Sequence, residues 1–146
     1  MQKTALLDVN VLIALLDQSH QHHEAAHRWF AGRASNGWAT CPITQNGCIR
    51  IMSGPSYPAV GNDVSRIRAL LIGLTRIAGH QFWADGVSLL DDGLFDLAAI
   101  RSARTTDVYL LGLAVRRNGF LVTFDRQISL ASVSGASAAS LEVLTT

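Results

Sequence analysis

The segment from Thr4 to Leu16 constrains this chain more than any other. Ala5-Leu6-Leu7 is an unbroken apolar run, Asp8 ends it, and after Asn10 a second apolar run extends from Val11 to Leu16. The first run is short and apolar at every position, which predicts a central strand buried on both faces rather than a half-exposed one. The second predicts a buried helix. Asp8 therefore stands where a strand hands over to a helix. In an open α/β sheet that is the carboxyl edge, where ligands bind.

With 146 residues the chain is expected to form a single domain, 1–146, with a sizeable core. Hydrophobic residues make up 49% and charged ones 16%, which excludes a disordered chain. The formal net charge of +1 gives no global argument for a nucleic-acid partner. All the basic residues but Lys3 are arginines. Arginine suits phosphate forks, although genomic base composition produces the same bias. The short apolar run after Lys3 is cut by Asp8, so no signal peptide is expected. No apolar stretch is long enough to span a membrane. Cys41 and Cys48, seven positions apart with no second pair, fit neither a zinc ribbon nor a disulfide scaffold. They are expected to be reduced and semi-buried in a cytoplasmic protein.

Along the chain, Asp17 to Gln21 is a polar break, and His22 to Phe30 reads as an amphipathic helix with Ala26, Trp29 and Phe30 on its buried stripe. Ser35-Asn36-Gly37 is a turn and Trp38 to Cys41 a short strand. Pro42 opens a helix through Ser53, which Gly54-Pro55-Ser56-Tyr57-Pro58 stops. Asn62 or Asp63 caps a helix from Val64 to Ile77, with Ile67, Leu70, Leu71 and Leu74 as its apolar face. Strands are expected at Gln81–Ala84 and Val87–Leu90, and a short helix at Leu94–Ile100. Thr105-Thr106-Asp107 introduces a strongly apolar helix closed by Arg116-Arg117-Asn118-Gly119. Phe120 to Phe124 is a second buried-type strand ending in Asp125. Ser129 to Ser140 reads as loop, and Leu141 to Leu144 as a last strand at an edge. Strands alternating with helices predict a parallel α/β sheet.

Three apolar runs thus end in aspartate: at Asp8, Asp91 and Asp125. Asp91 precedes Asp92-Gly93, an ordinary turn signal. Asp125 has no Gly or Pro after it, so it is the better candidate for a site. Asp107, taken alone, is an acid in a helix first turn, where the dipole favours it. Carboxylates gathered without a Lys or His partner repel one another, and a divalent cation is what holds them together. Oxygen-only ligation suits Mg²⁺ or Mn²⁺, and such ions suit phosphodiester cleavage. Aspartyl-phosphate chemistry needs a lysine near the acid, and Lys3 lies five residues before Asp8. No Gly-x-x-x-x-Gly-Lys loop or Gly-x-Ser-x-Gly elbow occurs. His20, His22, His23 and His27 offer a rival zinc site, but the remaining pattern of a zinc hydrolase is missing. A solvated, histidine-rich helix start is the preferred reading.

Leu7-Asp8-Val9-Asn10-Val11-Leu12-Ile13-Ala14, His22 to Trp29, Thr44-Gln45-Asn46-Gly47, Arg50, Thr106-Asp107-Val108-Tyr109-Leu110 and Thr123-Phe124-Asp125 together resemble the PIN-domain ribonucleases, and more narrowly the VapC toxins of toxin–antitoxin pairs. The resemblance covers most of the chain in the right order. It implies a PIN-like three-layer α/β/α fold with a small, mainly parallel central sheet. It implies the toxin of a type II pair, a Mg²⁺- or Mn²⁺-dependent endoribonuclease that cuts structured RNA such as tRNA or rRNA and so inhibits translation. It also implies a homodimer, neutralised by a VapB-type antitoxin whose tail runs into the active-site groove. Asp8, Asp107 and Asp125 fall on family acids, the implied metal ligands, and Asn10 and Thr123 on polar positions beside them. Arg104 and Arg126, as neighbours of those acids, are candidates for the RNA backbone.

One position departs from the pattern. The family commonly carries a glutamate where this chain has Gln45. The amide keeps the shape but removes a charge and cannot accept a proton, so an ion would meet three carboxylates instead of four. Natural drift and a deliberate isosteric inactivation both account for Gln45. The second functional reading is therefore a catalytically impaired PIN module that binds RNA or antitoxin without cleaving. A mean hydropathy of +0.24 is high for a small soluble monomer, and a dimer interface or an antitoxin helix would cover the surplus.

Overall fold

The computed structural model describes residues 3–59 and 61–145. Five parallel strands form one sheet: β1 (Ala5–Leu7), β2 (Trp38–Thr40), β3 (His80–Phe82), β4 (Phe120–Thr123) and β5 (Leu141–Val143), in the order β3-β2-β1-β4-β5. The first strand of the chain is thus the centre of the sheet, and the last lies at an edge. The pleat sends alternate residues to opposite faces, so the apolar run of β1 feeds two cores. Ala5 and Leu7 join one with Trp38 and Val122, while Leu6 joins the other with Ala39 and Leu121. This double burial is the reason β1 has no polar alternation.

The first face is covered by α1 (Val9–Leu16), α2 (His23–Arg33), α3 (Pro42–Met52) and α4 (Val64–Thr75). The second carries α5 (Thr105–Arg116) and the irregular chain from Trp83 to Ile100. Helices therefore lie on both sides of a parallel sheet, a three-layer α/β/α arrangement. Helix α5 is buried along nearly its whole length, from Val108 to Ala114. Its Gly112 is required by packing, because a Cβ there would lie 2.2 Å from the ring of Phe95. Helix α4 is capped by Asp63, whose Oδ1 accepts from the Arg66 amide at 2.7 Å. Only Ile67 and Leu71 of its apolar positions are buried, and Leu70 is 41% exposed.

Three expectations need correction. Val87–Leu90 is no strand: Leu89 and Leu90 are in a turn, and Leu90 is 93% exposed. Asp91 consequently stands on no strand end; its Oδ1 accepts from the Gly93 amide at 3.0 Å, closing an ordinary turn. Leu94–Ile100 is no helix either. Leu94 and Phe95 are buried under α5, and the backbone makes isolated turn bonds (Ile100 N to Leu97 O) and bonds across to 132–134 (Asp96 N to Ser132 O, Ser134 N to Leu94 O) rather than a helical ladder. Burying two adjacent large side chains outweighs weak helix propensity in so short a segment. Finally, Cys41 and Cys48 are fully buried, both as free thiols.

Candidate active site at the carboxyl edge of the sheet

Asp8 is the N-cap of α1, which begins at Val9, two residues before the apolar run suggested. Its Oδ1 accepts from the Val9 amide at 2.7 Å, and its backbone carbonyl accepts from Val11 and Leu12. One residue thus ends the central strand and starts the helix. Its carboxylate is only 5% exposed. Burial pushes its pKa up, while the Thr123 and Val9 hydrogen bonds pull it down, and the nearby Asp125 adds a smaller upward push.

Thr123, the last residue of the neighbouring β4, is wholly buried and donates to Asp8 Oδ2 at 2.7 Å. Its hydroxyl accepts from the Asp125 amide at 3.0 Å and from Asn10 Nδ2 at 3.2 Å. Asn10 Oδ1 in turn accepts from the Phe124 amide. Asn10 and Thr123 therefore tie the start of α1 to the end of β4, and they set where Asp8 and Asp125 sit.

Asp107 comes from the first turn of α5. Its pKa is pushed up to about 6, first by burial and then by the carboxylates of Asp8 and Asp125, with Arg104 opposing. The three acids thus share one field, as the sequence suggested. Asp8 and Asp107 line a groove of about 400 Å³ with Val9, Ile43, Asn46, Gly47, Arg50, Ile51 and Thr106. Gly47 lets α3 approach α1 there, since a Cβ would lie 2.9 Å from Val9 Cγ2.

Arg104 is not a free surface arginine. Its Nη1 contacts Oδ2 of both Asp107 (3.5 Å) and Asp125, and its Nη2 donates to Gln127 Oε1. Arg126 is exposed. Gln45 is not brought to the groove. Its Nε2 donates to Thr40 Oγ1 at 3.0 Å, and Thr40 Oγ1 lies 2.8 Å from His80 Nε2. It lines a neighbouring cleft with Asn46, Ile49, Arg68 and Leu71. One further helical step of about 100° gives Asn46, not Gln45, to the acid groove. Neither Asn46 nor Arg50 is a site candidate from sequence, because which residues of α3 meet the groove depends on what Thr44, Cys48 and Met52 bury on its other face.

The histidine-rich segment is absorbed by packing. His23 Nδ1 donates to the Ala14 carbonyl at 2.7 Å, and His22 stacks on Phe124 with ring centroids 4.7 Å apart. Among the described residues, no three His, Cys, Asp or Glu side chains form a ready-made metal cage. The donor chemistry of the acid cluster nevertheless fits a hard divalent cation. Its ligand atoms are all oxygens, and three mutually repelling carboxylates face one arginine.

A PIN-domain model matches residues 5–134 of the chain. The chain belongs to the PIN-domain family. Within it the chain is 46% identical to Ribonuclease VapC44 of Mycobacterium tuberculosis over 141 residues, covering 96% of this chain and 99% of that protein. It is 47% identical to Ribonuclease VapC39 of the same organism over 142 residues, covering 97% and 99%. These relatives place it among the VapC-type PIN domains. A crystal structure of VapBC2 from Rickettsia felis bound to a DNA fragment from their promoter superposes with a TM-score of 0.60 at 14% identity, covering 97% of this chain and 99% of that one. At that identity the likeness supports the PIN fold alone. No helix among the described residues of this PIN domain is long and apolar enough to cross a membrane.

Proposed function

We propose that this VapC-type protein is a divalent-metal-dependent endoribonuclease, the toxin of a type II toxin–antitoxin pair. The observation that carries the reading is the convergence of Asp8, Asp107 and Asp125 at one sheet edge, beside a groove open to Arg50. The names of the VapC relatives support it.

Asp8, Asp107 and Asp125 would hold Mg²⁺ or Mn²⁺. The bound ion would supply Lewis-acid activation of the phosphodiester and of the attacking water. The chain's own residues do the rest. Thr123 and Val9 fix the orientation of the Asp8 carboxylate. Asn46 and Thr106 are polar groups on the groove wall, and Arg50 gives it a cation suited to a backbone phosphate. Gln45, bonded to Thr40, stands outside the acid groove and need not weaken the site. This favours the catalytic reading over that of an impaired binding module. Structured RNA, tRNA or rRNA, is the proposed substrate and a VapB-type antitoxin the proposed partner. A homodimer is consistent with the exposed Val64, Leu70, Ile72 and Ile77 on and just beyond α4.

The test is cleavage of total cellular RNA, with 5′-end sequencing of the products, by the wild-type chain and Asp8→Asn with Mg²⁺, Mn²⁺ or chelator. Defined cuts that require both the metal and Asp8 are expected, with Asp8→Asn slower by on the order of a hundredfold or more. Metal-independent cutting, or equal cutting by Asp8→Asn, would overturn the assignment.

A further inference from the structure

We propose that Arg104 is a resident counter-cation of the acid cluster, which a divalent ion must displace, so that loading the site and freeing this arginine are one event. The inference rests on the metal-dependent reading of the site.

Three observations carry it. First, Nη1 of Arg104 holds the Oδ2 atoms of Asp107 and Asp125 together. Second, on Asp125 the arginine holds the carboxylate oxygen that has no backbone partner. Oδ1 of Asp125 accepts from the Gln127 amide at 2.8 Å, while Oδ2 is held by Arg104, so a cation binding through Oδ2 competes directly with the guanidinium. Third, the placement is built. Arg104 closes the 3-10 turn Ser102–Arg104, immediately ahead of α5. Its side chain is only 24% exposed, and Gln127 anchors the other end of the guanidinium. A guanidinium and a divalent ion compete for the same carboxylate oxygens, and the ion brings twice the charge into a smaller volume. Once displaced, the side chain stays tethered three residues before Asp107, which lines the groove, and offers a backbone phosphate a free fork.

The test is calorimetric titration of the metal-free protein with Mn²⁺, paired with thermal unfolding with and without Mn²⁺, for wild type, R104A and the uncharged R104Q. Removal of the competing cation should tighten Mn²⁺ binding about tenfold. Both variants should unfold at lower temperature without metal, and the deficit should shrink or reverse with saturating Mn²⁺. R104Q carries the test if R104A does not fold. Mn²⁺ binding that is unchanged or weaker in the variants, or a stability loss equal with and without metal, would overturn the inference and leave the nuclease reading intact. No Mn²⁺ binding by any form would overturn both.

Discussion

The two strands that flank β1 both end on a wholly buried threonine, and the two threonines serve opposite chemistries. Thr123 of β4 donates to a carboxylate and belongs to a charged network with Asp8, Asn10 and Asp125. Thr40 of β2 takes the amide of Gln45 on one side and meets His80 on the other, in a network without a carboxylate. Position in the sheet is nearly the same, so position does not make a site. What differs is which side chains the next elements deliver: acids from α5 and the end of β4, a neutral amide from α3. The acid cluster is tensioned, with Asp107 pushed up to about 6, and the Thr40 network is a brace that joins β2, β3 and α3.

If that contrast holds, Thr123→Val should have the largest effect. It leaves Asp8 Oδ2 without its donor, and metal affinity should fall by about ten- to a hundredfold. Fold stability should drop by about 1–3 kcal/mol. Titration with Mn²⁺ beside a denaturation curve reads both. Thr40→Val should cost a similar amount of stability while changing Mn²⁺ affinity little. A comparable loss of affinity would show that the two networks are one.

The two sides should also answer pH in opposite directions. Asp107 binds its proton more tightly folded than unfolded. Its contribution to stability is present below 3.8 and lost as pH rises through about 6. His80 is shifted the other way by burial, so its contribution is present above 6.5 and lost as pH falls below that value. In the metal-free protein, Asp107→Asn should raise stability by about 1 kcal/mol above pH 6, after allowance for solvent screening, and give no gain at low pH. His80→Gln should remove the loss on the acid side. Unfolding temperatures across that range check both slopes.

The smallest change is expected from Gln45→Glu, within about twofold of wild-type RNA cleavage, because residue 45 is bonded to Thr40 and does not line the acid groove. A large gain in cleavage would mean that residue 45 reaches the acids in the working enzyme, and would dissolve the contrast drawn here.

Much of this is legible in the sequence. The unbroken apolar run of β1 required burial on both faces, hence a central strand. The acids after β1 and β4 had to share an edge once the strands were parallel, and the PIN resemblance added Asp107. Val87 to Leu90 misled because its apolar run imitates a strand, while Asp91-Asp92-Gly93 announced the turn that forms. Leu94 to Ile100 misled because two adjacent buried side chains, Leu94 and Phe95, the latter packed on Gly112, leave no period to read.

The sequence by itself determined the sheet centre, the acidic edge and the family, because these depend on local patterns of burial and charge along single elements. The tertiary structure alone decided that Arg104 lies across Asp107 and Asp125, that Asn46 and Arg50 face the groove, and that Gln45 turns to Thr40. Those outcomes depend on the rotation of α3 and on contacts between residues distant in the chain. No local pattern encodes either, since a helix's phase is fixed by what its other face must bury.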